Sequence, residues 1–399
     1  MKILCIYRHY WPDKAPYGRL LRSLSEYLVI NNHDVTIFTA QPSYHKIKED
    51  ILPQIENIND VKVIRMNLFP ETKKNFLIRI INIILFGLGG IIQAIKNRKY
   101  NLVLVNSTPA IIMGFVAFII KKFIKVPYIY HCQDIHPEAA LMAGYLKNKL
   151  LYKLLYKLDT ISCKNAEVVV VLSEDMANTL KKRGLSGKNF LILNNFIPQE
   201  FQPSEYFPSE LKKSKEKFQI LFAGNIGKFQ GLENIIEVAR ILKKSKGLTF
   251  LFIGEGVDKE KLKIKASDLL NKKVFFKPFQ PMHILLKVIE ESNLCLISLR
   301  PGIYRVAFPS KTMTYLAGGC PILALVEQES QLAKFILEED LGYVCSQKNV
   351  GNITNTIKKS MNENMKWLKR RSEIKQIAES HFGREIILKK WSDLIDKII

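Results

Sequence analysis

Acidic residues are scarce in this chain. Asp and Glu number 37 against 60 Lys and Arg in 399 residues, a formal net charge of +23. No helix-turn-helix pattern, zinc-finger spacing or aromatic RNA-binding signature accompanies that charge. The basic residues are also scattered over many candidate helices, so nucleic acid ranks last among partners. A Lys-rich solvated surface and attraction to anionic lipid headgroups are the two other readings. Cysteine pairing is missing too. Cys5, Cys132, Cys163, Cys295, Cys320 and Cys345 form no CxxC, and most lie in apolar, strand-like contexts. That is the pattern of reduced, buried cytosolic thiols rather than of a disulfide framework. No low-complexity tract or internal repeat stands out. Met1 to Tyr7 is an apolar run that breaks at Arg8, too short for a signal peptide, and reads as a first buried strand.

Long apolar runs are few. Phe76 to Ile95 is apolar apart from Arg79, Asn82 and Gln93, and contains Gly87, Gly89 and Gly90. Ala110 to Ile120 is shorter than the roughly 20 residues a membrane span needs. The first run predicts a helix with more apolar surface than its own core requires. Lys73, Lys74, Arg79, Lys96, Arg98 and Lys99 collar it, which suits a protein lying on a membrane. A fully buried helix is the alternative. The expectation is a cytoplasmic protein, peripheral on the cytoplasmic face of the inner membrane and in contact with anionic lipid.

With 47% apolar and 24% charged residues, the chain is long enough for two α/β domains. The first half predicts strands at Ile3–Tyr7, Val35–Thr39, Val61–Arg65, Leu102–Asn106, Tyr128–Cys132, Val168–Leu172 and Phe190–Asn194. Helices are expected near Gly18–Ile30, Phe76–Lys96, Ala110–Phe123, Lys147–Asn165 and Glu174–Lys182. A seam from Asn195 to Lys217 carries Pro198, Pro203 and Pro208. Alternation then restarts with strands at Gln219–Ala223, Thr249–Ile253, Val274–Lys277, Leu294–Ser298, Ile322–Leu325 and Gly342–Cys345, and ends in a helical, basic tail over residues 364–399. Near-continuous apolar strands separated by helices imply parallel sheets covered on both faces. The reading is α/β, two doubly wound domains with a cleft between them: residues 1–200, 201–375, and a last helix, 376–399, crossing back to the first.

No G-x-G-x-x-G follows the first strand, and no Walker A sequence is present. Two other junctions have the chemistry of a phosphate site. Gly224-Asn225-Ile226-Gly227-Lys228-Phe229-Gln230-Gly231 follows a strand and opens a helix; Gly224 lets the chain turn and Gly227 lets backbone approach a ligand. Pro309-Ser310-Lys311 starts a short helix that stops at Gly318-Gly319, where free N–H groups favour an anion. An ordinary strand-helix turn would explain either alone. Two in one half suggest a nucleotide-diphosphate ligand.

His131-Cys132-Gln133-Asp134-Ile135-His136-Pro137-Glu138 closes a strand with four ionisable side chains. A cleft is expected there, so His131, Asp134 and Glu138 are the catalytic candidates. Their ligand chemistry also fits a metal, but the spacing matches no metal motif. Helix capping by Asp134, with Glu138 in the first turn, is a further reading. Tyr10 to Arg19 is a Pro-rich loop entering a helix, with Gly18 placed to meet a diphosphate. Glu327 follows another strand end, where a carboxylate accepts hydrogen bonds from sugar hydroxyls; capping by Ser330 is the alternative. His9, His33, His45, His283 and His381 are read as structural or surface residues.

Taken together, Tyr10 to Gly18, His131 to Glu138, Gly224 to Gly231, and Pro309-Ser310-Lys311 with Ala317 to Pro321 resemble a GT-B glycosyltransferase of family 4 over nearly the whole length. The chain is most similar to the branch that adds fucose or N-acetylfucosamine in bacterial surface-polysaccharide (lipopolysaccharide or capsule) assembly. The resemblance implies a retaining, metal-independent hexosyl transfer with no cofactor beyond the nucleotide-diphosphate sugar donor. The donor would lie on the carboxy-terminal domain and a glycan or polyprenyl-linked acceptor on the amino-terminal one. Gly18, Gly224, Asn225, Gly227, Lys228, Ser310 and Lys311 would meet the diphosphate, the lysines neutralising the leaving group. Gln230, Glu255, Phe279, Thr314, Glu327 and Ser330 would face nucleotide or sugar. The chain departs from the family where two glutamates are common, having Val306 and Thr314, and where a glycine-loop lysine is common, having Gln230. A nucleotide-sugar epimerase or phosphorylase on the same fold, or a binding protein without catalysis, are the rival readings; the His131–Asp134 cluster argues against the last.

Overall fold

The computed structural model describes residues 1–13, 15–43, 51–71, 75–96, 98–197, 207–214 and 216–398. Lys14, His45, Lys73, Lys74, Pro198, Pro203 and the expected boundary at 200/201 lie outside the described residues. The chain forms two compact units, Met1–Asn195 with Glu385–Ile399, and Phe196–Arg384.

In the amino-terminal unit the strands are β1 (Lys2–Ile6), β2 (Asp34–Ala40), β3 (Ile55–Ile58), β4 (Val61–Met66), β5 (Leu102–Asn106), β6 (Tyr128–Cys132), β7 (Val168–Val171) and β8 (Phe190–Ile192). Their order is β3-β4-β2-β1-β5-β6-β7-β8. Valine, isoleucine and leucine fill the central strands because helices cover both faces. Among the described residues only the edge strand β3 runs antiparallel, pairing with β4. It is not among the expected strands. Its signal is the two-residue turn Asn59-Asp60, both at positive φ, which suits a tight hairpin.

The helices here are α1 (Pro16–Ile30), α2 (Phe76–Lys96), α3 (Ile112–Ile124), α4 (Glu138–Met142), α5 (Lys149–Asn165) and α6 (Glu174–Leu180). The long apolar helix α2 is neither free nor fully buried. A Cβ on Gly89 would sit 2.8 Å from Met66 Sδ and 2.9 Å from Phe38 Cζ, so the missing side chain is what lets α2 approach the sheet. Asn82, the polar interruption in that run, is buried. Its amide accepts from Phe69 N–H (3.0 Å) and donates to Phe69 O (2.8 Å) and Glu71 (2.9 Å). The opposite face of α2 exposes Leu77, Ile81, Ile84, Leu88 and Ile92.

The carboxy-terminal unit has β9 (Phe218–Ala223), β10 (Leu248–Ile253), β11 (Val274–Lys277), β12 (Leu294–Ser298), β13 (Ile322–Leu325) and β14 (Gly342–Cys345) in the order β11-β10-β9-β12-β13-β14, all parallel. Its helices are α7 (Glu233–Ile241), α8 (Lys259–Lys265), α9 (Met282–Glu291), α10 (Lys311–Ala317), α11 (Gln331–Glu338), α12 (Val350–Asn362) and α13 (Asn364–Phe382). The helical tail is two helices parted at Gly383. The second, α14 (Arg384–Ile398), buries Ile387, Leu388, Trp391 and Ile395 in the amino-terminal unit.

Each sheet reverses its strand order once, between β1 and β5 and between β9 and β12. In open parallel sheets, ligands bind outside the carboxyl ends of strands at such a reversal.

Candidate functional site

Alternation along β6 decides where the ionisable cluster points. Tyr128, Tyr130 and Cys132 turn towards α3 and α5, and His131 turns the other way, towards α1 and α14. His131 therefore lies inside the unit rather than at its rim, with 1% of its surface exposed. Tyr17 Oη lies 3.1 Å from its Nδ1, Gln133 Nε2 2.7 Å from its Nε2, and the Trp391 ring 4.9 Å from its own. The Gln133 amide nitrogen can only donate, so Nε2 accepts and the Nδ1 proton goes to the tyrosine oxygen. Burial pushes the imidazole pKa down to about 3, which keeps it neutral. The expected catalytic His131 is thus a neutral ring with both nitrogens engaged.

Asp134 is the residue that leaves the strand end. The N–H groups of Gln133 and Asp134 donate to Ser107 Oγ at 3.0 and 3.4 Å, which turns the chain at that point. Burial pushes its carboxyl up to about 6, and no hydrogen bond reaches that carboxylate from the described residues. Asn106 pairs in register with His131 and is 1% exposed. Its Oδ1 accepts from Thr108 N–H, and its buried Nδ2 has no partner among the described residues. Asn106 and Ser107 carry no motif, and strand pairing brings them to His131; Tyr17, inside the Tyr10-to-Gly18 pattern, reaches it from α1.

Glu138, the third catalytic candidate, is held in a buried ion-pair cluster. Arg183 donates to both of its carboxylate oxygens, to Asp159 and to the His136 carbonyl, and stacks on Tyr156 at 4.9 Å. Asp159 accepts in turn from Tyr130 Oη at 2.8 Å. Arg183 and Asp159 side chains are 2% and 3% exposed. This buried cluster fixes the far end of the 131–138 segment. Gly18 packs as tightly: a Cβ there would sit 2.4 Å from His9 O, so the first turn of α1 rides directly on the loop after β1.

In the carboxy-terminal unit Tyr315 sets the geometry. Its hydroxyl accepts from Ala223 N–H (2.7 Å) and donates to Ala223 O (3.1 Å), pinning α10 to the end of β9. Lys311 is one turn earlier on the same helix face and so falls over that strand end. Its Nζ lies 3.7 Å from the Phe222 ring centroid and 3.4 Å from where a Gly224 Cβ would be. The ammonium is buried, with no hydrogen-bond partner among the described residues. Burial alone pushes its pKa down to about 7.

The glycine loop beside it is braced from behind. Gln347 Nε2 donates to Gln230 O (3.0 Å) and Gly231 O (2.9 Å), and Arg300 Nε to Lys228 O (2.7 Å). Gln230 Oε1 accepts from Gly227 N–H at 3.1 Å, so its side chain shapes the loop. Asn225, Lys228 and Ser310 are exposed near Lys311, and Thr314 is half-buried on α10. The other sequence candidates sit apart or are engaged. Glu255 pairs with Lys259 at 2.6 Å, and Phe279 stands exposed beyond β11. Glu327 Oε1 accepts from Gly302 N–H at 2.6 Å. Ser330 is buried, its Oγ accepting from Ala333 N–H at 3.2 Å as the cap of α11, which is the capping alternative.

Arg183→Met removes the cation from a buried cluster and leaves Glu138 and Asp159 uncompensated. It should lower unfolding stability by about 3–5 kcal/mol in urea titrations. Lys311→Met should do the reverse and raise the melting temperature of the unliganded protein. The pH sign follows from its pKa, about 7 folded against 10.5 as a free side chain. Between those values the unfolded chain binds the extra proton, so stability gains a rising component from pH 7 to 10.5. Melts across that range should show the component in the wild type and not in Lys311→Met.

Residues 18–201 match the family described as Glycosyltransferase Family 4, and residues 204–381 the family Glycosyl transferases group 1. The probable glycosyltransferase WbjE of Pseudomonas aeruginosa is 26% identical over 69% of this chain and 70% of its own length. The putative colanic acid biosynthesis glycosyl transferase WcaI of Escherichia coli is 24% identical over 84% of this chain and 85% of its own. Among solved structures, Anabaena HepE in complex with UDP superposes with a TM-score of 0.72 at 14% identity, over 100% of both chains. With both of its halves matched in this order on two parallel α/β sheets, the chain belongs to the GT-B glycosyltransferases of family 4.

Proposed function

We propose that this protein moves a sugar of the fucose or N-acetylfucosamine type, with retention at the anomeric carbon, from a nucleotide-diphosphate donor to a lipid-linked or other surface-glycan acceptor. The observation that carries the donor half is the Lys311 ammonium. A buried cation with no counter-charge is unfavourable until an anion arrives. A diphosphate laid on the glycine loop would supply that anion, and the charge of Lys311 would then stabilise the leaving diphosphate as its bond to the sugar breaks. The UDP held by HepE on the same fold supports a nucleoside diphosphate as the ligand. WcaI, named for colanic acid synthesis, supports a surface polysaccharide as the product. Thr314, in place of a common glutamate, supports the fucose-type branch.

On the acceptor half, Asp134 is the group with a free carboxylate and a pKa of about 6. A base so poised takes the proton of an incoming hydroxyl near neutrality. His131, neutral and held from both sides, orients rather than exchanges protons.

Thermal shift with UDP, GDP, ADP and TDP, each with and without magnesium, tests the donor reading. One diphosphate should raise the melting temperature and should bind with proton uptake at about pH 8, because the anion restores the lysine pKa. Calorimetry in buffers of different ionisation enthalpy reads that proton. Lys311→Met should lose both the shift and the uptake; no shift with any nucleotide would end the reading. Asp134→Asn should lower kcat about a hundredfold or more. The wild-type profile should fall away below pH 6, and that acid limb should be absent from the variant.

A further inference from the structure

The net positive charge is not evenly spread. Residues 72–133 hold nine Lys or Arg and no Asp or Glu, and residues 139–158 hold four Lys and no acid. Between Glu71 and Asp159 the only acids are Asp134, at the strand end, and Glu138, bonded by Arg183. This stretch supplies α2, α3 and α5, which lie side by side on one face of the amino-terminal sheet. The same face carries protruding apolar side chains. Leu77 on α2 is 70% exposed, Phe123 on α3 69% and Leu150 on α5 78%.

Helix α5 opens with a repeat, Lys149-Leu150-Leu151-Tyr152-Lys153-Leu154-Leu155-Tyr156-Lys157. A four-residue period on a 3.6-residue helix sets each residue type in its own stripe. Lys149, Lys153 and Lys157 form one exposed stripe, and Leu150 and Leu154 a second beside it. The tyrosines face inward, with Tyr156 beneath Arg183.

We propose that the α2–α3–α5 face is a docking surface for an anionic phospholipid bilayer. Leucine and isoleucine would enter the headgroup boundary while the lysine and arginine ends reach phosphate. The charge settles the occupant: a face this basic repels a second copy of itself, and its apolar groups are spread over three helices rather than gathered in one groove. Helix α2 is long enough to cross a bilayer, but its glycine face is held against β1, β2 and β4, so it lies along the surface. The amino ends of α2 and α5, with Leu141 and Met142 of α4, lie at the strand edge that bears Asp134. A docked bilayer would present a lipid-linked acceptor there. That last step rests on the transfer reading; the surface does not.

The test is flotation of the full chain with vesicles of phosphatidylcholine alone and vesicles that include phosphatidylglycerol. The wild type should float with the anionic vesicles only, and added salt should weaken it. K149E/K153E should weaken binding on the order of thirtyfold. L150Q/L154Q should weaken it even at low salt, and both pairs should keep the wild-type melting temperature. Failure to float with anionic vesicles, or wild-type binding by both double variants, would overturn the proposal. So would a wild-type dimer that these substitutions turn into monomer. The nucleotide-induced thermal shift, run on the same samples, separates the two ideas: its persistence without flotation removes the surface and leaves the transfer reading standing.

Discussion

A charge removed from water is costly unless an opposite charge meets it, and two buried cations of this chain stand on opposite sides of that rule. Arg183 is fully met: Glu138, Asp159 and a carbonyl surround it, and the result is a fixed point. The Lys311 ammonium is also buried, and among the described residues it meets only the face of Phe222. The first arrangement is stable in the unliganded protein; the second becomes so only with an anion present. On the proposed reading, that contrast separates a structural cation from a ligand-binding one.

Both cations depend on how a helix is pinned to a strand end. Tyr315 ties α10 to Ala223 and so delivers Lys311 to the glycine loop. In the other unit, Ser107 holds the N–H groups of Gln133 and Asp134 and Arg183 holds the His136 carbonyl, and no hydrogen bond reaches the Asp134 carboxylate from the described residues. Gln347 and Arg300 hold the glycine loop by its carbonyls. None of these anchoring residues reacts in the scheme proposed above, yet each decides where a reacting group sits.

The strand pattern was legible because buried parallel strands are short apolar runs. Leu102–Asn106, Tyr128–Cys132 and Ile322–Leu325 fall where those runs predict. The edge strand β3 was not, because Ile55-Glu56-Asn57-Ile58 is half polar and only its Asn59-Asp60 turn announces it. The glycine loop and Ser310-Lys311 were legible as strand-helix junctions. Arg183, Asn106, Ser107 and Gln347 were not, since each acts through a partner between about 25 and 117 residues away in sequence. For Glu138 and Ser330 the sequence shows a polar residue at a strand end, and only the structure shows the partners, Arg183 and the Ala333 N–H, that already engage them. The polar and glycine interruptions of α2 are likewise explained by contacts, with Asn82 serving Phe69 and Gly89 serving Phe38.

Helix α14 has a bearing on the order in which the protein is made. Trp391 lies against His131, yet it is synthesised after the whole of the carboxy-terminal unit. During vectorial synthesis the strands of the amino-terminal sheet leave the ribosome first, but the layer over His131 lacks its largest ring until residues near 391 emerge. The carboxy-terminal unit, continuous from Phe196 to Arg384, has all of its segments before then. The half that begins the chain is therefore the half completed last, and the nascent protein assembles its glycine loop while its other half still waits for a closing helix.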